Sequence, residues 1–154
     1  MKRKGKLWNA FCSTENLLEA MRRAQRGKRF KDTVSNFNFN QERELLRLQS
    51  ELIRGYYRCG AYRSFSIYEP KHRFISAAPY RDRVIHQAVC RIIDPIFEKG
   101  FIHDLYSNRK EKGAHRAVTR YQNFCRHNAY VLKCDISKYF ASVDKQKLFG
   151  LICH

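Results

Sequence analysis

Acidic residues are scarce in this chain: 14 Asp and Glu stand against 31 Lys and Arg in 154 residues, a formal net charge of +17. Such an imbalance opposes folding, because like charges are brought together as the chain compacts. It points to a partner that supplies negative charge, the other reading being a solvated basic surface with no partner. Long apolar runs are missing too. No stretch approaches the roughly 20 residues needed to span a bilayer, and the basic start is not followed by the apolar run of a secretory signal. The cysteines Cys12, Cys59, Cys90, Cys125, Cys134 and Cys153 form no C-x-x-C pair, which argues against a zinc ribbon. Several, such as Cys90 and Cys134, lie in apolar stretches, the pattern of buried free thiols in a reducing, cytoplasmic setting. His86, His115 and His154 have no partners at metal-ligand spacing, and no internal repeat or low-complexity tract is present.

What is there suits a folded domain. Hydrophobic residues are 44% of the chain and aromatics 14%, too many for a disordered tail and enough for a core. The positive charge is heaviest at the start, where Lys2, Arg3, Lys4, Lys6, Arg22, Arg23, Arg26, Lys28, Arg29 and Lys31 face only Glu15 and Glu19. Aromatics interleave with basic residues, as in Tyr56-Tyr57-Arg58 and Tyr62-Arg63. Cations neutralise phosphates and rings stack on exposed bases, so nucleic acid fits this mixture; an anionic membrane surface could draw the same charge.

Residues 1–12 read as a mobile basic arm with Trp8 and Phe11 as anchors. Ser13 or Thr14 can cap a helix bearing Leu17, Leu18 and Met21. Residues 27–39 read as a basic, then Asn-rich, loop. Asn40 starts a helix with Leu45, Leu48 and Leu52 on one face, and Gly55 is placed to end it. The period then changes: Phe65 and Ile67 alternate with Ser64 and Ser66, and Glu69-Pro70-Lys71-His72 is a turn, so residues 62–78 predict a β-hairpin. Pro79 opens a helix whose apolar face is Val84, Ile85, Ala88, Val89, Ile92 and Ile93, broken or restarted at Asp94-Pro95. After a loop over residues 101–112, Gly113 leads into a helix with Ala117, Val118, Tyr121 and Phe124 inward. Tyr130 to Cys134 predicts a short strand ending at Asp135, and Asp144 caps a last helix.

The segment Val131-Leu132-Lys133-Cys134-Asp135-Ile136-Ser137-Lys138-Tyr139-Phe140 is the most informative. An apolar strand delivers a carboxylate at its end, the placement that phosphoryl transfer needs to fix Mg²⁺ against phosphates. Taken alone, Asp135 could simply end a strand. This stretch and three upstream of it, in order along the chain, change that. Val131–Phe140 resembles motif A of reverse transcriptases, with an Asp ending a strand and an aromatic five positions later. Ile67-Tyr68-Glu69-Pro70-Lys71-His72-Arg73-Phe74-Ile75-Ser76-Ala77 resembles the fingers hairpin of the same family. Arg81-Asp82-Arg83-Val84-Ile85-His86-Gln87-Ala88-Val89 resembles the block that follows it, and Gly113-Ala114-His115-Arg116-Ala117-Val118 fits the lead-in to the palm. With Glu15-Asn16-Leu17-Leu18-Glu19-Ala20, the pattern is most like the reverse transcriptases of diversity-generating retroelements, with group II intron, retron and phage-defence enzymes as near relatives.

The resemblance implies an α+β fold, part of a right-hand polymerase: a basic arm and helical lead over residues 1–60, fingers over 61–128, and the start of a truncated palm over 129–154. It implies that Asp135 is a catalytic metal ligand, helped by the backbone carbonyl of Ile136, and that Phe140 packs on the sugar of an incoming nucleotide, its other reading being a core aromatic. Lys71 and Arg73 match residues that contact the triphosphate, although without the family each is an exposed basic residue at a turn. Arg81, Arg83 and Gln87 match a block near template and nucleotide; Arg83 could equally pair with Asp82 or another acid. Mg²⁺, deoxynucleotides, template RNA with primer or cDNA, and a small accessory protein are the implied partners, with no membrane. The departure from the family is large. None of the 14 acidic residues is adjacent to another, so the paired aspartates of a Y-x-D-D stretch are absent, as are the glycine- and serine-bearing motif and the thumb. The chain alone is therefore expected not to polymerise, and a non-catalytic basic RNA-binding module derived from such a polymerase is the second reading. A palm strand without sheet partners is expected to be sticky and marginally stable.

Overall fold

The computed structural model describes residues 4–153; Lys2, Arg3 and His154 lie outside them. The chain is mixed helix and sheet and divides into two compact units, residues 4–99 and residues 100–153. The division falls inside the segment read as fingers.

The first unit holds helices α1 (Leu7–Cys12), α2 (Thr14–Ala24), α3 (Asp32–Phe39), α4 (Gln41–Ile53) and α5 (Tyr80–Phe97), with strands β1 (Arg63–Tyr68) and β2 (His72–Ala77) between α4 and α5. Ser13 is the cap of α2, its Oγ accepting from the Asn16 N–H at 3.2 Å. Gly55 follows α4 with φ +73°, the left-handed turn expected there. Two segments read as irregular are helical. Of the basic arm, residues 7–12 form α1, and the Asn-rich part of the loop forms α3, because Val34 and Phe37 fall three apart and both reach the core. Pro95 does not break α5: it lies in the last turn and the helix runs on to Phe97.

Leu17, Ala20 and Met21 of α2, Val34 and Phe37 of α3, Leu45, Leu48 and Leu52 of α4, and Tyr80, Val84, Ile85 and Ala88 of α5 form one buried core with Cys12. Burying each large side chain contributes about 1.5–3 kcal/mol. Polar groups fix the register of these helices. Asn16 is buried; its Nδ2 donates to the carbonyls of Phe11 (3.0 Å) and Ala88 (3.2 Å), and its Oδ1 accepts from Arg91 Nε at 3.0 Å. Gln49 Nε2 donates to the Cys12 carbonyl at 2.8 Å, tying α4 to the α1–α2 junction. Burial pushes the Cys12 thiol above its ordinary range, as it does that of half-buried Cys90. The expectation of several buried thiols is corrected: Cys59, Cys125, Cys134 and Cys153 are exposed.

Glu51 is buried at the end of α4, where its carboxylate accepts from Arg81 Nη2 and from Arg47 Nε. The Arg81 hydrogen bond, seconded by Arg47, holds the carboxyl below its usual 4.5. A carboxyl whose folded pKa is depressed stabilises fully above its unfolded value, and that stabilisation fades as pH falls through the folded one. Glu51→Gln should therefore cost about 2 kcal/mol at neutral pH, and less once the pH drops below 4.5. Urea midpoints of the two proteins across that range check it; a gap that widens in acid would contradict it.

In the second unit, helices α6 (Ala114–His127), α7 (Tyr139–Ser142) and α8 (Lys145–Cys153) follow the loop over residues 101–112. Asp104 accepts from Arg120 Nε at 2.9 Å and Nη2 at 3.3 Å, and from Tyr106 Oη at 3.3 Å. Arg120, above all, lowers the Asp104 carboxyl to about 2. Asp144 caps α8 as expected, its Oδ1 accepting from the N–H groups of Gln146 (2.9 Å) and Lys147 (3.1 Å). The inward face expected on α6 is exposed: Val118, Tyr121 and Phe124 all face solvent. Among the described residues, no helix is long and apolar enough to cross a membrane.

Candidate nucleic-acid interface

The hairpin predicted over residues 62–78 is present, with β1 and β2 antiparallel in the register Phe65↔Ile75, Ser66↔Phe74, Ile67↔Arg73 and Tyr68↔His72. Side chains alternate between faces. Arg73 thus shares one face with Arg63, Phe65, Ile67 and Ile75, while Phe74 shares the other with Tyr68 and His72, whose rings lie 4.6 Å apart. Lys71 sits in the turn; it and Arg73 are exposed, and among the described residues neither makes an ion pair. The hairpin packs on no other described helix or strand. Tyr68 and Phe74 are 76% and 69% exposed, so the ribbon offers cations and rings together to solvent.

Its root, by contrast, is clamped. Asp82, in the first turn of α5, is 2% exposed. Its Oδ1 accepts from Tyr57 Oη at 2.6 Å and its Oδ2 from the Gly60 N–H at 2.8 Å. A Cβ at Gly60 would lie 2.9 Å from Pro79 Cγ, so only glycine permits the close approach of the chain entering the hairpin to the chain leaving it. Burial, then the Asp82 hydrogen bond, pushes the Tyr57 phenol well above its ordinary range and keeps it a donor. This clamp is absent from the sequence reading: Tyr57 and Asp82 stand 25 positions apart, beyond the reach of any helical or strand period.

The basic block at the start of α5 is partly committed to structure. Arg81 pairs with Glu51 and lies 5.4 Å from the centre of the Tyr57 ring. Among the described residues Arg83 pairs with no acid and its buried Nε has no hydrogen-bond partner; its guanidinium lies 5.4 Å from the centre of the Tyr80 ring. Asp82, an alternative partner for Arg83, spends its oxygens on Tyr57 and Gly60 instead. Gln87 is half-buried one turn further on.

Asp135, Ile136 and Phe140 belong to the second unit, and Lys71, Arg73, Arg81, Arg83 and Gln87 to the first. The strand expected over Tyr130–Cys134 is not formed; the segment is irregular, with Tyr130 and Leu132 93% and 89% exposed. A lone extended segment has no partner for its backbone N–H and C=O groups, so no strand is made. Asp135 is exposed, Ile136 is 65% exposed, and Phe140, 94% exposed, meets the Tyr139 ring edge-on at 5.4 Å. The core alternative for Phe140 is thereby corrected. Among the described residues no group of three His, Cys, Asp or Glu side chains could hold a metal ion. Asp135 is thus a single carboxylate, which does not by itself fit the two-metal centre that the resemblance implies. No protein-family model matches the chain, and no curated protein is significantly similar to it in sequence.

Proposed function

We propose that this chain is the front part of an RNA-directed DNA polymerase from a bacterial or phage retroelement: its fingers and the first aspartate of its active site. The supporting observation is that the stretch resembling the fingers folds as an exposed antiparallel hairpin on a rigid root, with Lys71 at its turn and Arg73 on β2. Cations at a hairpin tip can close on phosphate oxygens, and a clamped root aims them. The chain's charge of +17 adds the long-range attraction that brings RNA to this surface. In the complete enzyme Asp135 and the Ile136 carbonyl would contribute to a Mg²⁺ site, and Phe140 would face the nucleotide sugar. The missing carboxylate pair makes the 154-residue chain inactive by itself.

RNA titrations over a salt series test the grip. Each phosphate contact to a single strand contributes about −0.7 to the slope of log K against log salt. Replacing Lys71 and Arg73 together by Ala should flatten that slope by about 1.4 and weaken binding to all sequences alike. Binding indifferent to salt would contradict the reading.

The lone state of Asp135 favours a second reading, a non-catalytic RNA-binding module derived from such a polymerase. The two separate on the coding DNA after His154: an open frame that supplies a Y-x-D-D stretch supports the enzyme, and a stop codon the module.

A further inference from the structure

We propose that the exposed turn between α2 and α3 is a separate binding site for single-stranded nucleic acid, with Phe30 stacking on an unpaired base and Arg23, Arg26, Lys28, Arg29 and Lys31 holding the flanking phosphates. These residues lie outside every stretch that carries the polymerase resemblance, so the inference stands without it.

Charge is the first observation. Arg22 is matched by Glu19, but among the described residues none of the five cations named above makes an ion pair. All five are exposed, and they crowd into the stretch from residue 23 to residue 31. Their mutual repulsion works against this turn unless an anion is bound.

The ring is the second. Phe30 is 100% exposed and lies within this basic stretch. A phenyl ring held in water forgoes the burial that elsewhere in the chain rewards Phe37. A base face would cover it while leaving the cations beside it free to meet the backbone.

Preorganisation is the third. Gln25 is 9% exposed and its Oε1 accepts from Asn38 Nδ2 of α3 at 2.7 Å. The Lys28 N–H donates to the Gln25 carbonyl at 2.9 Å and the Lys31 N–H to the Lys28 carbonyl at 3.1 Å. Gly27, at φ +66°, makes the left-handed bend that a side chain would strain. Val34 and Phe37 anchor α3 just beyond. The turn is therefore ordered before any ligand arrives, which lowers the entropy lost on binding.

The chemistry favours an unpaired strand over the alternatives. In a duplex the base faces are already stacked and a single ring has nothing to cover. A lipid surface rewards a broad apolar face, whereas the sequence neighbours of Phe30 are the polar Arg29, Lys31, Asp32 and Thr33. Three of the five cations are guanidinium groups, whose planar forks suit phosphate oxygens.

The test is fluorescence anisotropy with the full chain, an unstructured oligouridine and a duplex RNA. Phe30→Ala should weaken oligouridine binding about tenfold with an unchanged salt slope, and leave duplex binding as it was. Phe30→Tyr, which keeps a ring, should bind as the parent does. Arg26→Gln combined with Arg29→Gln should flatten the salt slope by about 1.4. Circular dichroism verifies the fold of each variant. Oligouridine binding that ignores Phe30→Ala would overturn the proposal, as would an equal loss on duplex RNA or with Phe30→Tyr. Phe30-dependent capture of phosphatidylserine vesicles with RNA binding untouched would assign the turn to a lipid surface instead. RNA binding and a salt slope that ignore replacement of Lys71 and Arg73 by Ala, with the Phe30 effect intact, would strike the polymerase reading and leave this one standing.

Discussion

Asp82→Ala is expected to destabilise the first unit by about 3 kcal/mol. The carboxylate is buried and accepts two hydrogen bonds, from the Tyr57 phenol at 2.6 Å and from the Gly60 backbone at 2.8 Å. Hydrogen bonds to a charged acceptor are worth about 1.5–3 kcal/mol each, and removing the acceptor leaves two part-buried donors without it. Alanine supplies neither acceptor nor volume. Asparagine keeps one carbonyl oxygen, so Asp82→Asn should recover part of the loss by satisfying one of the donors. Tyr57→Phe removes only the phenol and should cost about 1 kcal/mol. Urea denaturation of the three variants measures this ordering. The hairpin should feel the change as well, because Gly60 and Pro79 are the ends of the segment that carries it. Faster amide exchange in β1 and β2 of Asp82→Ala, beyond that of Tyr57→Phe, would report a loosened root.

This clamp shows where reading the sequence stops. Local signals were legible: Ser13 as a cap, Asp144 as a cap, Gly55 after α4, the alternation in β1, and the long apolar face opened by Pro79. Each depends on neighbours within a turn or a strand repeat, which spacing reveals. The face of α5 is only partly buried, and the reason is visible in its end: Val89, Ile92 and Ile93 line an apolar groove of about 240 Å³ with Leu7, Trp8 and Phe11 of α1. The missed elements are those decided by tertiary contact. Helix α3 has a weak local pattern, yet Val34 and Phe37 earn it a place in the core. The strand expected at Tyr130–Cys134 had the right composition and, among the described residues, no neighbouring strand to pair with. Of the candidate site, the hairpin and its basic residues were legible. The diversion of Arg81 to Glu51 was not, because that partner lies 30 positions away. The bare ring of Phe30 did leave a trace, a lone aromatic within Arg26-Gly27-Lys28-Arg29-Phe30-Lys31.

The second large effect concerns Asp135. Its carboxylate is exposed, and among the described residues no group of three His, Cys, Asp or Glu side chains could form a metal site with it. Two consequences follow if it is the first aspartate of a polymerase. The 154-residue chain should add no nucleotide to a primer. The same residue should become indispensable wherever a paired-aspartate stretch is supplied by the same polypeptide, because losing one corner of a two-metal site removes several kcal/mol of transition-state stabilisation, about a thousandfold in rate. Its loss should leave RNA affinity unchanged, since the cations proposed to hold RNA belong to the first unit.

Primer extension on an RNA template, by the protein of the full reading frame that carries this segment, puts both consequences to the test. DNA synthesis that needs Mg²⁺ and falls about a thousandfold in Asp135→Ala, with RNA binding intact, is the predicted result. Synthesis that survives Asp135→Ala, or nucleotide addition by the 154-residue chain alone, would contradict the account.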